Sequence, residues 1–493
     1  MEPNRTTFAA LLAAALACAA PAALAAQEAA ASDWEPLAEP AAASGGLALS
    51  GEIEAGLGVA AGKDLAFDAP DWTDGFLGLR LEAEARPADG LRVYAEAKAE
   101  EGLPAKAPAM VAGLPSITLE SPSIRVVEAW ASLQDAPIRG TELRVGRQRI
   151  AWGPADQIGI VDAFDAPDFS DLSSFGEKLA SDAVRFRYFG RRFGLDLAWT
   201  PFWRAAPLPA TMPAAFVPAA GDYSALTAIG VSVTPAAPTL ATPENDAVDS
   251  STVGLRGTFE PEGWTIGASY VYGRSPIPAL SGVVATWTAM PNPPTTMGAL
   301  SVAASLEYPR RHQASLDVAG ELLGLGVWAE AACVINDRDY VEDLSALAIL
   351  DPSKKRTTSS DDPYWRWLAG CDYTFANDIY LNFQYLRGMA WETLPDAQND
   401  YAVLALKWEL AGGKLLLGPL AAVLEVDALD DIISGDREFS DSYGLAFSPS
   451  VSYKPYDGVE LTAGLAWMLG SDSSTLGAMA DQSKAYLKTK ISF

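Results

Sequence analysis

The residues best placed to do chemistry fall within residues 143–171. Arg144, Arg147 and Arg149 sit among Val145, Ile150 and Trp152, and Asp156, Asp162, Asp165, Asp168 and Asp171 follow on a stretch without strand period. A basic strand feeding an acidic loop does not suit a dry core, where unpaired charge is costly. It suits a wet cavity whose wall is the strand and whose constriction is the loop. Arg185 and Arg187 continue the basic pattern on the next strand. The expected pore-lining set is therefore Arg144, Arg147, Arg149, Arg185 and Arg187 against Asp162, Asp165, Asp168 and Asp171. Opposed charges across a narrow bore create a transverse field that orients dipolar solutes and penalises apolar ones.

Other chemistries find less support. His312 is the single histidine and, with Ser315, is the one candidate for a serine-based lipid hydrolase. Nothing near it resembles an oxyanion element, and it reads as a rim residue after Pro309-Arg310-Arg311. The spacing of Asp162, Asp165, Asp168 and Asp171 invites calcium, but the alternating acidic pattern of a calcium loop is absent. No glycine-rich phosphate loop occurs; Gly273-Arg274-Ser275 reads as a strand end. Neither a metal nor a cofactor is expected.

Composition narrows the class further. The 493 residues hold 35 basic and 63 acidic side chains, a net charge of −28. That balance disfavours nucleic acid and anchoring on anionic lipid through basic patches. After the N-terminus no apolar run reaches the length of a membrane helix. Residues 1–25 read as a signal peptide: Arg5 gives the positive end, residues 8–20 the apolar stretch, and Ala23-Leu24-Ala25 the cleavage site. A lipoprotein signal at Cys18 is the rival reading, with Ala15 in place of the larger aliphatic such a site prefers. Residues 26–46 read as a flexible periplasmic lead-in rich in Ala, Pro and Glu.

From Leu47 the pattern alternates. Leu49, Ile53, Leu57 and Val59 face one way and Ser50, Glu52 and Glu54 the other; Leu77, Leu79 and Leu81 oppose Arg80, Glu82 and Glu84. Period two with one apolar face is a strand. Short turns near 87–89, 136–140, 190–192, 260–263, 320–322, 376–378, 412–413 and 456–458 take turns with long loops near 61–73, 102–122, 153–180, 204–249, 274–300, 336–363, 389–398, 428–441 and 471–482. The expected fold is all-β: residues 47–493 form a transmembrane antiparallel β-barrel of about 18 strands (16–18), with short periplasmic turns and long extracellular loops. Parity holds only if residues 313–320 span the membrane while residues 301–308 ride above it, with Pro309 breaking the ladder. Trp199, Trp264, Trp365, Trp408 and Trp467 fall near strand ends on the lipid face, as an aromatic girdle requires.

The chain from about Leu47 to Phe493 resembles bacterial outer-membrane porins in its pattern. Gly146-Arg147-Gln148-Arg149-Ile150-Ala151-Trp152-Gly153 also resembles the G-[KR]-Q-x-[IV]-x-W-G stretch of an uncharacterised family of large outer-membrane barrels. The resemblance to porins implies that the third long loop, residues 153–180, folds inside the barrel as a constriction. Ser174-Phe175-Gly176-Glu177 is similar to part of the porin loop motif, although the full motif is missing. The terminal strand ending on Phe493 resembles the signal read by the barrel-assembly machinery.

These readings imply a channel of the bacterial outer membrane, monomeric or trimeric and bathed in outer-membrane lipid, for diffusion of small polar or charged solutes. The alternative is a surface-exposed interaction barrel, an adhesin or antigen, with a plugged lumen. A lumen-facing set, Glu82, Glu84, Arg92, Glu128, Arg185, Arg187, Asp196, Arg256, Asp317, Glu330, Arg366 and Asp372, can serve either as a pore lining or as a salt-bridge network. Cys333 and Cys371 remain after signal removal. Both take the lipid face, and counting inward from the loop between them brings them roughly opposite each other, which admits a disulfide.

Overall fold

The computed structural model describes residues 46–61, 72–102, 123–136, 138–155, 158–168, 177–207, 224–236, 238–244, 246–247, 249–292, 297–337, 340–349, 356–359, 363–392, 398–427, 429–435, 437–471 and 474–493. The expected signal peptide and lead-in, and Asp156 and Asp171, lie outside them.

One antiparallel sheet dominates. Its strands are β1 (Leu47–Ala60), β2 (Trp72–Ala88), β3 (Leu91–Gly102), β4 (Ser123–Gln134), β5 (Thr141–Gln148), β6 (Ser181–Phe189), β7 (Phe193–Thr200), β8 (Thr252–Phe259) and β9 (Trp264–Arg274). They continue as β10 (Arg310–Leu322), β11 (Leu325–Asn336), β12 (Tyr364–Thr374), β13 (Ile379–Arg387), β14 (Asp400–Leu410), β15 (Leu415–Val426), β16 (Tyr443–Ser448 and Ser450–Tyr456, interrupted at Pro449), β17 (Val459–Gly470) and β18 (Lys484–Ser492). Each pairs with its neighbour in sequence, and β18 pairs back onto β1 with Ile53 opposite Ile491. Phe493 and Gly51 exchange both main-chain hydrogen bonds at 2.9 Å, so the seam is closed to the last residue. The result is a closed barrel of 18 strands, as expected. Closure leaves no edge with unpaired backbone groups, which is the condition for a sheet to cross a bilayer.

Burial runs opposite to that of a soluble sheet. On β10, Gln313, Ser315 and Asp317 are at most 5% exposed, whereas Leu316 between them is 63% exposed. On β7, Ala198 is buried while Leu195, Leu197 and Trp199 are exposed. Polar side chains inside and aliphatics outside mark the outer surface as lipid-facing. Trp365 and Trp199 are exposed on that outer face near strand ends.

The structure revises several expectations. The turn expected at 320–322 lies at Leu323-Gly324, both with positive φ, and Gly320 stays in the strand opposite Trp264. Pro309 does separate β10 from a segment above the barrel, but that segment is no plain loop. Ala299–Glu307 pairs with Ala279–Ala289, and a second sheet grows around them from Ser232–Pro235, Thr239–Ala241, Tyr340–Asp343 and Arg356–Ser359. Val231, Val283, Ala285, Leu300, Val302 and Leu347 give it a core of its own. Three long loops thus bury apolar alternation against one another instead of against lipid.

Cys333 and Cys371 are both free. They share the outer face, yet Cys333 stands opposite Trp365 and Cys371 opposite Val327, six residues apart along each strand. At about 3.4 Å per residue that is roughly 20 Å, far beyond the reach of a disulfide. With Val334 opposite Tyr364 beside the loop, Cys333 lies one residue further in and Cys371 seven, so counting inward from the loop keeps them apart.

Candidate functional site at the inward third loop

The chain leaves β5 through the Gly146–Gly153 stretch, and each residue type there has a local reason. Gly146 has φ +125, and a Cβ would lie 2.2 Å from Ala129 O, so the strands cross too closely for a side chain. Gln148, fully buried, donates Nε2–H to Ala183 O at 3.2 Å. Ile150 is fully buried, and its N–H donates to Asp165 Oδ2 at 2.6 Å. Trp152 donates Nε1–H to Asp196 Oδ2 and packs edge-on against Phe164, ring centroids 4.9 Å apart. Gly153 has φ +94, where L side chains are strained, and a Cβ would meet Glu330 Oε1 at 2.2 Å. The stretch is therefore a hinge that turns the chain from the wall into the barrel.

The third long loop then crosses the interior. Glu330 on β11 accepts three main-chain N–H groups: Ala155 at 3.0 Å, Ile160 at 2.6 Å and Val161 at 2.9 Å. Gln313 on β10 donates Nε2–H to Ile160 O at 3.0 Å and Val161 O at 3.3 Å, and Gln384 on β13 donates to Ile158 O at 3.1 Å. On one side Val161 and Phe164 pack with Ala183, Ala198 and Val271 of the wall. On the other, Ile160 packs with Ala332, Val334, Leu368, Leu386 and Trp391. Apolar residues on the inner wall at this level would be out of place against water; they exist to seat the loop.

The pore-lining residues expected from sequence are arranged differently from the opposed wall and loop. Glu142, only 3% exposed, bridges Arg144, with Nε–H and an NH2 donating at 3.1 and 2.8 Å, and Arg187. Arg185 is held by Asp196, its Nε–H donating at 3.0 Å. Arg144 also stacks on the Trp130 ring at 3.9 Å. Arg147 shares its strand face with the exposed Leu143 and Val145 and grips Asp182 at 2.9 and 3.0 Å; alternation puts it on the outer face. Arg149 approaches Glu128 at 3.8 Å. The wall arginines are thus matched by wall carboxylates.

The loop carboxylates are committed as well. Asp162 accepts from Lys178 Nζ at 2.6 Å. Asp165, 4% exposed, holds the Ile150 N–H. Burial, then the neighbouring Asp162, push its carboxyl up to about 7. Asp168 lies 3.9 Å from Arg125. Asp162 and Asp165 border a cavity of about 740 Å³, open mouth included, whose other lining includes Lys178, Arg311, Arg366 and Trp391.

The loop-anchoring roles of Glu330, Gln313 and Gln384 were not read from sequence. The available signal was a single carboxylate at a lumen-facing position among alanines, Ala329, Ala331 and Ala332. Sequence gives its face but not what it meets. His312 and Ser315 fall on opposite faces of β10: Ser315 is 5% exposed inside, whereas His312 bonds Tyr270 and Asp337 outside. They form no dyad.

No protein-family model matches the sequence, and no curated protein matches it. Solved structures are similar to it over most of its length. Acinetobacter baumannii OccAB3 is 12% identical, with 91% of this chain and 99% of that one covered and a TM-score of 0.49. Pseudomonas aeruginosa OccK9 (OpdG) is 9% identical, with 91% and 97% covered and a TM-score of 0.48. Pseudomonas aeruginosa OpdK, solved with vanillate, is 9% identical, with 91% and 98% covered and a TM-score of 0.46. The barrel assignment itself rests on the strand pairing and its closure.

Proposed function

We propose that this chain is a channel of the bacterial outer membrane through which small polar or charged solutes diffuse. The observation that carries the reading is a closed 18-strand barrel, polar inside and apolar outside, with its third long loop seated in the lumen. Barrels of this strand number are wide enough for an aqueous path beside such a loop. The loop narrows that path, and charges that stay in contact with water, such as Arg149, set the local potential. Wall pairs such as Arg256–Asp317, 2.7 Å apart, contribute dipoles rather than net charge. On this reading the total of −28 is a poor guide to ion preference, because much of it is paired or screened beyond roughly 8–10 Å in saline.

The purified protein should form discrete conducting steps in planar bilayers and admit size-graded neutral solutes into liposomes up to a cut-off. A well-inserted protein that neither conducts nor admits solutes would favour a plugged interaction barrel instead. Assembly through Phe493 and the choice between monomer and trimer belong to the same proposal.

A further inference from the structure

Glu330 is, among the described residues, the one wall carboxylate that takes its hydrogen bonds from the main chain of the third loop. Both of its oxygens are engaged: Oε1 receives Ala155 N–H, and Oε2 receives Ile160 N–H and Val161 N–H. The residue is 2% exposed. A buried carboxylate is tolerable only when such donors replace its water, and charge-assisted bonds of this kind are the strong ones. The same three N–H groups lie on a loop that pairs with no strand at that point, so Glu330 also supplies what the backbone would otherwise lack. The neighbouring carbonyls are held from the wall by Gln313 and Gln384, so the loop main chain at Ala155 and at residues 158–161 is gripped through both its donors and its acceptors. Gly153 permits the approach, since any Cβ there would displace the Glu330 carboxylate.

We infer that Glu330 is the positioning residue that fixes the width of the bore, acting through the loop main chain and not through its charge on the solute. The inference rests on the channel reading above. It also distinguishes Glu330 from Glu425 on β15, which is fully buried and receives Thr475 N–H at 2.9 Å and Leu476 N–H at 2.8 Å from the ninth long loop. Two inner-wall glutamates thus use the same chemistry on two loops, but only the first holds the loop that crosses the lumen.

The test is single-channel recording of the full-length protein beside Glu330→Ala, Glu330→Gln and, as a comparison of equal burial and chemistry, Glu425→Ala. Glu330→Ala releases three N–H groups, and the expected result is a conductance higher by roughly twofold or more, with noisier open states and a larger solute cut-off. Glu330→Gln retains one acceptor but turns an amide donor toward the loop, so it should move conductance in the same direction by less. Its reversal potential in a salt gradient should stay at the wild-type value, because the charge removed never faced the solute. Glu425→Ala should conduct as wild type does. If Glu330→Ala does not assemble, Glu330→Gln carries the same comparisons. A conducting wild type with both Glu330 variants at wild-type conductance overturns the inference and leaves the channel reading intact. So does an equal rise in Glu425→Ala, or a Glu330→Gln variant that shifts reversal potential at unchanged conductance. A wild type that never conducts removes the channel reading and this inference with it.

Discussion

Trp152 donates its indole N–H to Asp196 Oδ2 at 3.0 Å, and Asp196 in turn receives Arg185. The hinge of the third loop is thereby tied to the charge pair on the wall. Replacing Trp152 with Phe keeps an aromatic against Phe164 but removes the donor. The expected cost is about 1.5–3 kcal/mol, the usual range for a hydrogen bond to a charged group. A lower unfolding temperature in detergent, followed by the shift between folded and heat-denatured bands on gels, checks it; an unchanged midpoint would show that the tie carries no stability.

Ion preference tests whether the loop borders the path. Replacing Arg185 and Arg187 together with Gln strands Asp196 and half of the Glu142 bridge, so the reversal potential should move toward cations. Replacing Asp162, Asp165 and Asp168 together with Asn leaves Lys178 without its carboxylate and should move it toward anions. Both shifts should grow at low salt, where screening is weaker. Two variants with wild-type reversal potentials would remove residues 153–180 from the pore lining.

The pH dependence follows from Asp165, which sits on the loop and not on a spanning strand. Its carboxyl is raised to about 7 by burial and by Asp162, against about 3.9 in an unfolded chain. Between those values the folded state binds more protons than the unfolded one, so stability falls as pH rises from about 4 through 7. Melting temperatures measured from pH 4.5 to 8 should decline, to a first approximation from this group, and the decline should flatten in Asp165→Asn. An identical slope in the variant would assign the effect elsewhere.

Cys333 and Cys371 should both react with a maleimide after denaturation without reductant, giving two labels by mass. Protein carrying an intramolecular bond between them would contradict the register of β11 with β12.

Removing Phe493 deletes the residue that exchanges two main-chain bonds with Gly51 at the seam. Export should proceed while the folded, heat-modifiable form in the outer membrane declines. Normal outer-membrane yield of the truncated chain would show that neither closure nor assembly depends on it.

The sequence by itself determined the barrel. Period-two alternation sets which side chains face lipid, and the regular exchange of short turns and long loops sets the strand number, because both are local properties of the chain. It also placed Glu330, Asp317 and Arg256 on the inner face. Tertiary structure alone decided the site. Arg144, Arg185 and Arg187 could be recognised as wall residues, but Arg187 reaches Glu142 and Arg185 reaches Asp196 across strands, and Arg144 shares Glu142 with Arg187, so sequence could not tell free charge from paired charge. Arg147 lies on the outer face by alternation alone, in phase with Leu143 and Val145 and out of phase with Arg144 and the buried Gln148, so it could never share a face with Arg144. The seat of the loop depends on Glu330, 169 to 175 residues distant from its donors. A contact of that range has no local signature: it exists only because the loop that leaves β5 turns into the closed barrel and reaches β11, six strands further round.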